Sequence, residues 1–472
     1  MGERDRPNIL LVVLDTARAD HFGALGGKAH TPGFDGVADR GAAAVAISNS
    51  PWTVPSHASM FSGLLPFDHG VTGAAAITPE RRLASLRPAI ERHRERWLPD
   101  VMRRAGYRTL GISANVWITR EMGFDLGFEE FHPVGMARVT PRGAEPDQHW
   151  RLRDLAPEGV RRRAKRAARY LRDARKGRDF GAREAVRLVR ELAGGPGDGR
   201  PWFLFVNVME AHAPYLPPPR FGELAPRDRL RGPAVNHRYL GDAFVVAYNV
   251  GAADDMLKED MRLLRRLYAA EVEYADSFLP GAFEALARQM DRTLVIVTAD
   301  HGENLGEDHR LGHVAALDER LVRVPLAVAG PDAPAVGDGT SLAALPGMVA
   351  AAGGIDSHPY PGPGPVAVAQ YESAWHHLRR ASEVEARFPL TAEQAAMLRS
   401  PMALATDGAT WLLRTGDAER TWASAGEPGD AAPLRKALDG LPTAPEPGAA
   451  ARGATPEEEA EIESRLRELG YL

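Results

Sequence analysis

The chain has 472 residues, of which 44% are hydrophobic and 26% are charged, and its formal net charge is −5. This length and composition are typical of a globular protein with a large core, and the near balance of charge argues against a nucleic-acid-binding protein. The sequence contains no cysteine, which excludes disulfides, thiolate catalysis and cysteine zinc ligands.

The N-terminal segment predicts the first strand of a parallel sheet. Residues 8–14 are an almost continuous apolar run that ends on Asp15. The run is too short to span a membrane, and no small-residue cleavage site follows it. We therefore expect no membrane span, and a cytoplasmic location is the default.

Strand-like and helix-like segments alternate through the first three-quarters of the chain. This alternation favours an α/β fold with a central, mostly parallel sheet. After the first strand, the pattern predicts helices at 52–63, 98–105, 182–193 and 261–289, and strands at 108–113, 202–208 and 293–299.

An arginine-dense segment at 157–178 predicts a helical insertion near 140–180 with a strongly basic face. One interpretation is a solvated surface helix. The other is a contact surface for an anionic partner or for membrane headgroups.

Proline and glycine concentrate at 332–340 and 358–366, which favours a domain boundary near 340–365. We predict a main α/β domain over 1–350 and a small α+β subdomain over 351–472. In the latter, strands are expected at 371–372 and 409–413. A helix at 456–469 would be capped by Thr455.

Two predicted strands end on acidic residues. The run at 293–299 stops on Asp300 and His301, as the first strand stops on Asp15. Because ligands bind at the carboxyl edge of a parallel sheet, the two carboxylates could surround one cation. The sequence therefore predicts a metal site at this edge.

Thr53 is the candidate nucleophile. It sits just before a predicted helix whose second residue is Pro55, so free backbone N–H groups surround its hydroxyl. A threonine hydroxyl bound to a divalent cation could attack phosphorus or sulfur. The alternative is an ordinary helix-capping threonine.

Three histidines lie near these elements and are candidate catalytic residues. His57 follows Thr53 by one helical turn, His212 follows the strand at 202–208, and His313 lies in a polar loop after His301. Each of them could instead be structural.

Six motifs occur together in one order, and through them the chain resembles the sulfatase family of the alkaline phosphatase superfamily. The resemblance implies the family's α/β sandwich, with a central mostly parallel sheet, and a metal-dependent ester-cleaving site. The motifs are PNILLVVLD at 7–15, HTP at 30–32 followed by FD at 34–35, TVPSH at 53–57, AGYRT at 105–109, EAHAPY at 210–215 and DHGE at 300–303.

Several positions depart from the family pattern. Thr53 stands where sulfatases carry the Cys or Ser that matures to formylglycine, and threonine cannot give that aldehyde. His57 replaces an arginine, and Ser113–Asn115 offers no lysine where the family has one. The family's Asp-Asp and Asp-Asn metal pairs are Asp15-Thr16 and Asp300-His301.

These substitutions give a site with fewer acids and an imidazole. The resemblance implies Asp15, Thr53, Asp300 and His301 as metal ligands, with zinc or manganese favoured and calcium or magnesium as alternatives. His57, His212 and His313 would line the pocket. Glu210 and Glu303 are reserve ligands for a second metal.

We therefore predict a metal-dependent hydrolase or transferase of phosphate or sulfate esters that works through a covalent Thr53 intermediate, with phosphoester or phosphodiester chemistry favoured. The alternatives are a sulfuric ester hydrolase and a catalytically dead binding protein on the same fold. The expected substrate is a small-molecule, lipid or glycan ester. No nucleic-acid partner is expected, and the oligomeric state stays open.

Overall fold

The structure of the protein is a computed structural model. It describes residues 6–73, 84–135, 168–195, 197–360, 362, 364–374, 381–444 and 452–453. Within this part of the chain, no helix combines the length and the apolar character needed to cross a membrane.

A seven-stranded sheet forms the centre of the molecule. Its spatial order is β2-β7-β6-β1-β5-β3-β4, and β7 alone in this sheet runs antiparallel to its neighbours. The predicted α/β fold with a mostly parallel sheet is confirmed. The strands are β1 Asn8–Leu14, β2 Ala42–Ile47, β3 Arg108–Ser113, β4 Glu130–Pro133, β5 Trp202–Val208, β6 Thr293–Thr298 and β7 Arg323–Ala329.

The three middle strands are buried along their whole length. Leu11 of β1 pairs with Phe205 of β5 on one side and with Ile296 of β6 on the other. Strands covered on both faces need apolar side chains at successive positions, which explains their continuous apolar sequences. The backbone N–H of Asp15 still bonds to the Val208 carbonyl (2.8 Å), so the carboxyl ends of β1 and β5 meet.

Helices connect and cover the strands. They are α1 Pro32–Arg40, α2 Thr53–Ser62, α3 Pro66–His69, α4 Arg87–Glu91, α5 Leu98–Arg104, α6 Ala182–Ala193, α7 Pro226–Tyr239, α8 Asp242–Asn249, α9 Lys258–Asp276, α10 Phe278–Ala285, α11 Glu319–Val322, α12 Leu345–Ala352, α13 Ala381–Arg387, α14 Ala392–Arg399 and α15 Ala432–Asp439. Short 3₁₀ helices lie at Ala19–His21, Gly23–Leu25, Arg94–Arg96, Met290–Arg292, Glu307–His309 and Leu342–Ala344, and two-residue strands at Ala84–Ser85, Asn304–Leu305, Leu311–Gly312 and Arg452–Gly453.

The prediction of one long helix at 261–289 was wrong. The chain forms two helices, α9 and α10, with Ser277 between them. Pro280 lacks an N–H, and its ring would clash with the carbonyl of Asp276 in a continuous helix. The break therefore follows from a single proline.

Strands β2, β4 and β7 were not predicted. The β2 sequence AAAVAI is mostly alanine, which has a low strand propensity, and β7 contains Pro325. Burial in the sheet outweighs both local preferences.

A second, four-stranded antiparallel sheet follows in the C-terminal part of the chain, in the order β8-β9-β10-β11. Its strands are β8 Ala367–Tyr371, β9 Met402–Thr406, β10 Thr410–Thr415 and β11 Ala418–Ala423. The predicted strand material at 371–372 and 409–413 lies at β8 and β10, whereas the predicted helix at 456–469 lies outside the described residues. Trp411 is fully buried against the main core. The domain division at residue 350 stays a prediction.

The arginine-dense segment lies only partly within the described residues. Residues 168–176 are helical, with Arg169, Arg172 and Arg175 exposed. The remainder of the predicted insertion, 140–167, lies outside them, and a role in binding an anionic partner stays a prediction.

Candidate active site

The sheet brings together the residues predicted as metal ligands. Asp15 directly follows β1, and Asp300 and His301 follow its neighbour β6. One ligand atom from each of these three side chains lies within 4.8 Å of those of the other two. All three residues are fully buried. The carboxyl edges of two adjacent parallel strands therefore form the predicted cluster.

The Asp300 carboxylate is held by the backbone. Its Oδ1 accepts the N–H groups of Thr16 (3.1 Å) and His301 (2.9 Å), whereas Oδ2 has no hydrogen-bond partner among the described residues. Burial, together with the charge of Asp15, raises the pKa of Asp300 well above its ordinary value. Two buried carboxylates are costly without a compensating charge, and a cation would supply one.

His301 presents a lone pair to the same centre. Its Nδ1 donates to the Gly302 carbonyl (2.9 Å), so the ring proton is on Nδ1 and Nε2 is free to act as an acceptor. Burial lowers the pKa of His301 well below its ordinary value, which keeps the ring neutral. A neutral imidazole oriented by a backbone carbonyl is the usual form of a metal-binding histidine.

Thr53 lies beside this cluster. Its Oγ1 is 3.4 Å from His301 Nε2 and 3.5 Å from Asn115 Nδ2, and the residue is 4% exposed. It is the first residue of α2, and the cap position belongs to Trp52, so the prediction that Thr53 precedes the helix was wrong by one residue. The Ser56 hydroxyl, one turn later, donates to the Asp300 carbonyl (2.7 Å) and ties α2 to the metal-ligand loop.

His57 packs directly under Thr53. Its Nδ1 donates to the Thr53 carbonyl (2.9 Å) and lies 3.6 Å from Asp300 Oδ2. Its Nε2 is buried and has no hydrogen-bond partner within the described ranges. Burial lowers the pKa of His57 to about 4. The site excludes the water that would stabilise the charged form of this ring.

His313 lies between two other histidine rings. The centroid distance is 4.6 Å to His301 and 5.3 Å to His212. Its Nδ1 is 3.1 Å from Glu303 Oε1, whereas His212 Nδ1 donates to the Ala213 carbonyl (2.7 Å). Burial lowers the pKa of His212. The structure thus gathers His57, His212 and His313 around the metal-ligand cluster.

The two reserve ligands lie in different surroundings. Glu303 contacts His313, whereas Glu210 Oε1 accepts the backbone N–H groups of Phe180 (3.1 Å) and Ala182 (2.8 Å) at the start of α6. Burial raises the pKa of Glu210 to about 7. Glu210 thus contacts the first residue of α6, and it is not a member of the Asp15–Asp300–His301 cluster.

Sequence reasoning missed two asparagines that contact Asp15. Asn115 Nδ2 donates to Asp15 Oδ2 at 2.7 Å, and Asn207 Nδ2 donates to the same oxygen at 3.3 Å. A polar amide inside the apolar run of β5 was the signal for Asn207. Asn115 lies two residues beyond the end of β3, where the sequence pattern signals only that the family's lysine is missing.

The donor set fits a divalent cation. Asp15 Oδ1 and Asp300 Oδ2 are buried carboxylate oxygens without hydrogen-bond partners among the residues that the structure describes, and His301 Nε2 adds a neutral nitrogen donor. Carboxylate and imidazole ligands of this kind bind divalent metals in proteins.

Comparison with known proteins agrees with this geometry. A family profile described as Sulfatase matches residues 7–344. The chain is 24% identical to a sulfatase of Formosa agariphila over 358 residues (70% of this chain, 66% of the relative), and 27% identical to a choline-sulfatase of Rhizobium meliloti over 348 residues (69% and 63%). The chain thus spans less than two thirds of the length of these curated relatives.

Solved structures share the fold. A phosphonate monoester hydrolase of Agrobacterium radiobacter superposes with a TM-score of 0.56 at 19% identity, covering 92% of this chain and 94% of that one. A 2-O GAG sulfatase superposes with a TM-score of 0.57 at 16% identity, covering 98% and 91%. The fold expected from the sequence resemblance is confirmed.

Proposed function

This chain belongs to the sulfatase family, and we propose on that basis that it cleaves phosphate or sulfate esters at a divalent cation, with Thr53 as the nucleophile. The observation that carries this proposal is the convergence of Asp15, Asp300 and His301 within 4.8 Å, with Thr53 Oγ1 3.4 Å from His301 Nε2. A nucleophile adjacent to an unsatisfied metal-ligand set is what a covalent ester-transfer mechanism requires.

Asp15, Asp300 and His301 would hold the cation, with Thr53 Oγ1 as the fourth ligand. A mixed set of carboxylates and an imidazole favours zinc or manganese over calcium, which prefers oxygen ligands alone. When bound, the cation would lower the pKa of the Thr53 hydroxyl and withdraw charge from the ester oxygens.

In the proposed reaction, Thr53 Oγ1 releases its proton to water and forms a bond to phosphorus while the bond to the leaving alcohol breaks. The leaving oxygen takes a proton from a pocket histidine. His313 is proposed for this role because its Nδ1 lies 3.1 Å from Glu303 Oε1, a carboxylate that would stabilise the protonated ring. Water or an acceptor alcohol then returns a proton to this histidine and displaces Thr53, which takes up a proton, in a second in-line step.

One argument favours phosphorus over sulfur, and a second favours a phosphodiester over a phosphate monoester. A sulfated formylglycine hemiacetal releases sulfate by collapsing to the aldehyde, and a threonine sulfate cannot do this. A threonine phosphoester, by contrast, can be displaced in line. In addition, none of the hydrogen bonds and ion pairs to Asp15, Thr53, His57 or Asp300 within the described residues comes from lysine or arginine. A singly charged phosphodiester costs less to place beside two carboxylates than a doubly charged monoester.

Sulfate ester hydrolysis is the second candidate. It is favoured by the family profile and by relatives named sulfatase and choline-sulfatase. A sulfate monoester also carries a single negative charge, so the same electrostatic argument admits it.

The test compares p-nitrophenyl sulfate, p-nitrophenyl phosphate, bis-p-nitrophenyl phosphate and a phenylphosphonate monoester with zinc, manganese and calcium. We expect the diester to be the best substrate with zinc or manganese. Thr53→Ala should lose on the order of 10³-fold or more in kcat. The matched control is Ser62→Ala on the same helix, since that hydroxyl bonds to the Ala58 carbonyl.

Other outcomes have defined meanings. Sulfate hydrolysis that disappears in Thr53→Ala would replace phosphorus by sulfur and keep the nucleophile. Activity that survives in Thr53→Ala would remove Thr53 from the mechanism. Metal binding without turnover of any of these esters would favour the dead binding protein.

A further inference from the structure

The two site carboxylates share one arrangement, in which one oxygen is saturated with donors and the other is free. Asp300 Oδ1 takes two backbone N–H groups, and Asp15 Oδ2 takes the side-chain amides of Asn115 and Asn207. The opposite oxygens, Asp15 Oδ1 and Asp300 Oδ2, have no partner among the described residues. The donors on Asp15 are side chains, which a substitution can remove, whereas those on Asp300 are backbone N–H groups.

Packing of the sheet does not explain Asn207. This residue is fully buried in β5 between Val206 and Val208, in a strand whose other members are apolar. Burying an amide there costs about 1–3 kcal/mol unless its hydrogen bonds are made. Its Nδ2 contacts Asp15, but its Oδ1 has no hydrogen-bond partner in the part of the chain that the structure describes. The contact with Asp15 is therefore what this amide provides.

Asn115 has a fixed orientation. Its Oδ1 accepts the Trp117 N–H at 2.8 Å, which assigns the oxygen and directs Nδ2 towards Asp15. The same Nδ2 lies 3.5 Å from Thr53 Oγ1. One amide group thus spans a metal ligand and the nucleophile.

We propose that Asn115 and Asn207 are positioning residues that reserve Asp15 Oδ1 for the cation, and that Asn115 also orients the Thr53 hydroxyl. Rotation of the Asp15 carboxylate out of this orientation would break both amide bonds, so one of its oxygens stays directed towards the site. Neutral amides achieve this without adding a positive charge beside the cation. The inference rests on the proposed function, since it assumes a metal at this site.

The experiment measures metal affinity directly. Metal-free protein is titrated calorimetrically with Zn²⁺ and Mn²⁺ in the presence of a competing chelator. We expect Asn115→Ala to weaken binding about 10–100-fold, and Asn207→Ala to weaken it less, because the Asn207 contact is longer. The matched control is Asn8→Ala, a buried asparagine at the opposite end of β1 that bonds to Gln289 and Trp202.

A second variant separates positioning from folding. Asn207→Leu places an apolar side chain in an apolar strand, so we expect its Tm to rise while its affinity for Zn²⁺ falls. A purely structural asparagine would move both in the same direction. For Asn115→Ala at saturating metal, the expected signature is a fall in kcat with little change in KM, because the substitution misorients Thr53.

The outcomes distinguish this inference from the proposed function. If the unsubstituted protein binds the metal and Asn115→Ala, with an unchanged circular dichroism spectrum, binds it within about threefold of that affinity, the positioning role is wrong and the proposed function stands. If the unsubstituted protein binds neither metal, the proposed function fails, and the inference fails with it.

Discussion

Four buried histidines surround the site, and the partner of each Nδ1 atom sets its chemistry. His57, His212 and His301 donate Nδ1–H to backbone carbonyls, which leaves Nε2 as an acceptor. His313 instead faces the Glu303 carboxylate. Identical residue types thus have different capacities, which their positions in the sequence do not reveal.

A fifth buried histidine, His69, gives a pH-dependent prediction away from the metal ligands. Its Nδ1 accepts the Val71 N–H (3.0 Å), its Nε2 contacts Ser59 Oγ (3.2 Å), and burial lowers its pKa to about 3. The unfolded chain takes up a proton near pH 6.5, but the folded chain does not. The stability contributed by the neutral ring is therefore complete above pH 6.5 and is lost as the pH falls towards 3.

We predict that, as the pH falls from 6.5 towards 3, the unsubstituted protein loses free energy of unfolding faster than His69→Gln does. The difference should be about 1.4 kcal/mol per pH unit. Urea unfolding at several pH values measures the gap between the two proteins. The exposed His30, replaced in the same way, is the control for the loss of an imidazole as such. A gap for His69→Gln that does not change with pH would show that the His69 ring is protonated in the folded state.

At the scale of elements, the sequence predicted best the strands that are buried on both faces of the sheet. Strands β1, β5 and β6 read as continuous apolar runs, so their positions and the convergence of Asp15 with Asp300 could be inferred. Alanine-rich β2 and proline-containing β7 lack that signal. Asn115 and Asn207 could not be inferred as a pair, because their contact depends on the strand order, which places both β1 and β3 beside β5.

The start of α6 depends on a buried acid, which gives a second pH-dependent prediction. Glu210 accepts two N–H groups there, and its pKa is raised to about 7. A raised pKa contributes stability that is complete below about pH 4.5 and is lost as the pH rises through 7. Glu210→Gln keeps an accepting oxygen but does not ionise.

From pH 4.5 to pH 7, the unfolding free energy of Glu210→Gln relative to that of the unsubstituted protein should therefore rise by ~3 kcal/mol. Chemical denaturation at pH 4.5, 6 and 8 checks this. Glu184→Gln, in the first turn of the same helix, is the control for replacing a carboxylate by an amide there. If the effect of Glu210→Gln does not change with pH, the Glu210 carboxylate is ionised throughout and the helix end stabilises its charge.

At the scale of the whole molecule, the site is a source of instability until a cation binds. Asp15 and Asp300 place two carboxylates in a fully buried region, and one oxygen of each has no hydrogen-bond partner within the described part of the chain. A ligand that binds the folded state alone stabilises it by about 2.7 kcal/mol at a concentration of 100 Kd. The protein should therefore show a strongly metal-dependent Tm.

We predict opposite effects of Asp300→Asn in the two states. Without metal, its Tm should exceed that of the unsubstituted protein, because the substitution removes one of two buried like charges while its oxygen still accepts from Thr16 and His301. Adding Zn²⁺ should raise the Tm of the unsubstituted protein but not the Tm of Asp300→Asn. Thermal unfolding with and without metal measures both, and Asp318→Asn, which keeps the cap of α11, should retain the full response. An unchanged Zn²⁺ response in Asp300→Asn would place the metal elsewhere.

The position of β1 in the sheet also has a consequence during protein synthesis. This strand leaves the ribosome first, yet its two neighbours are β5, which begins at Trp202, and β6, which begins at Thr293. At about 5–20 residues per second, ten seconds or more of translation separate β1 from either partner. During that interval an apolar strand has both hydrogen-bonding edges open, which is the state in which strands aggregate. The nascent N-terminal segment is thus a natural client for chaperones that shield apolar strands, and no cation can be captured until Asp300 has been made.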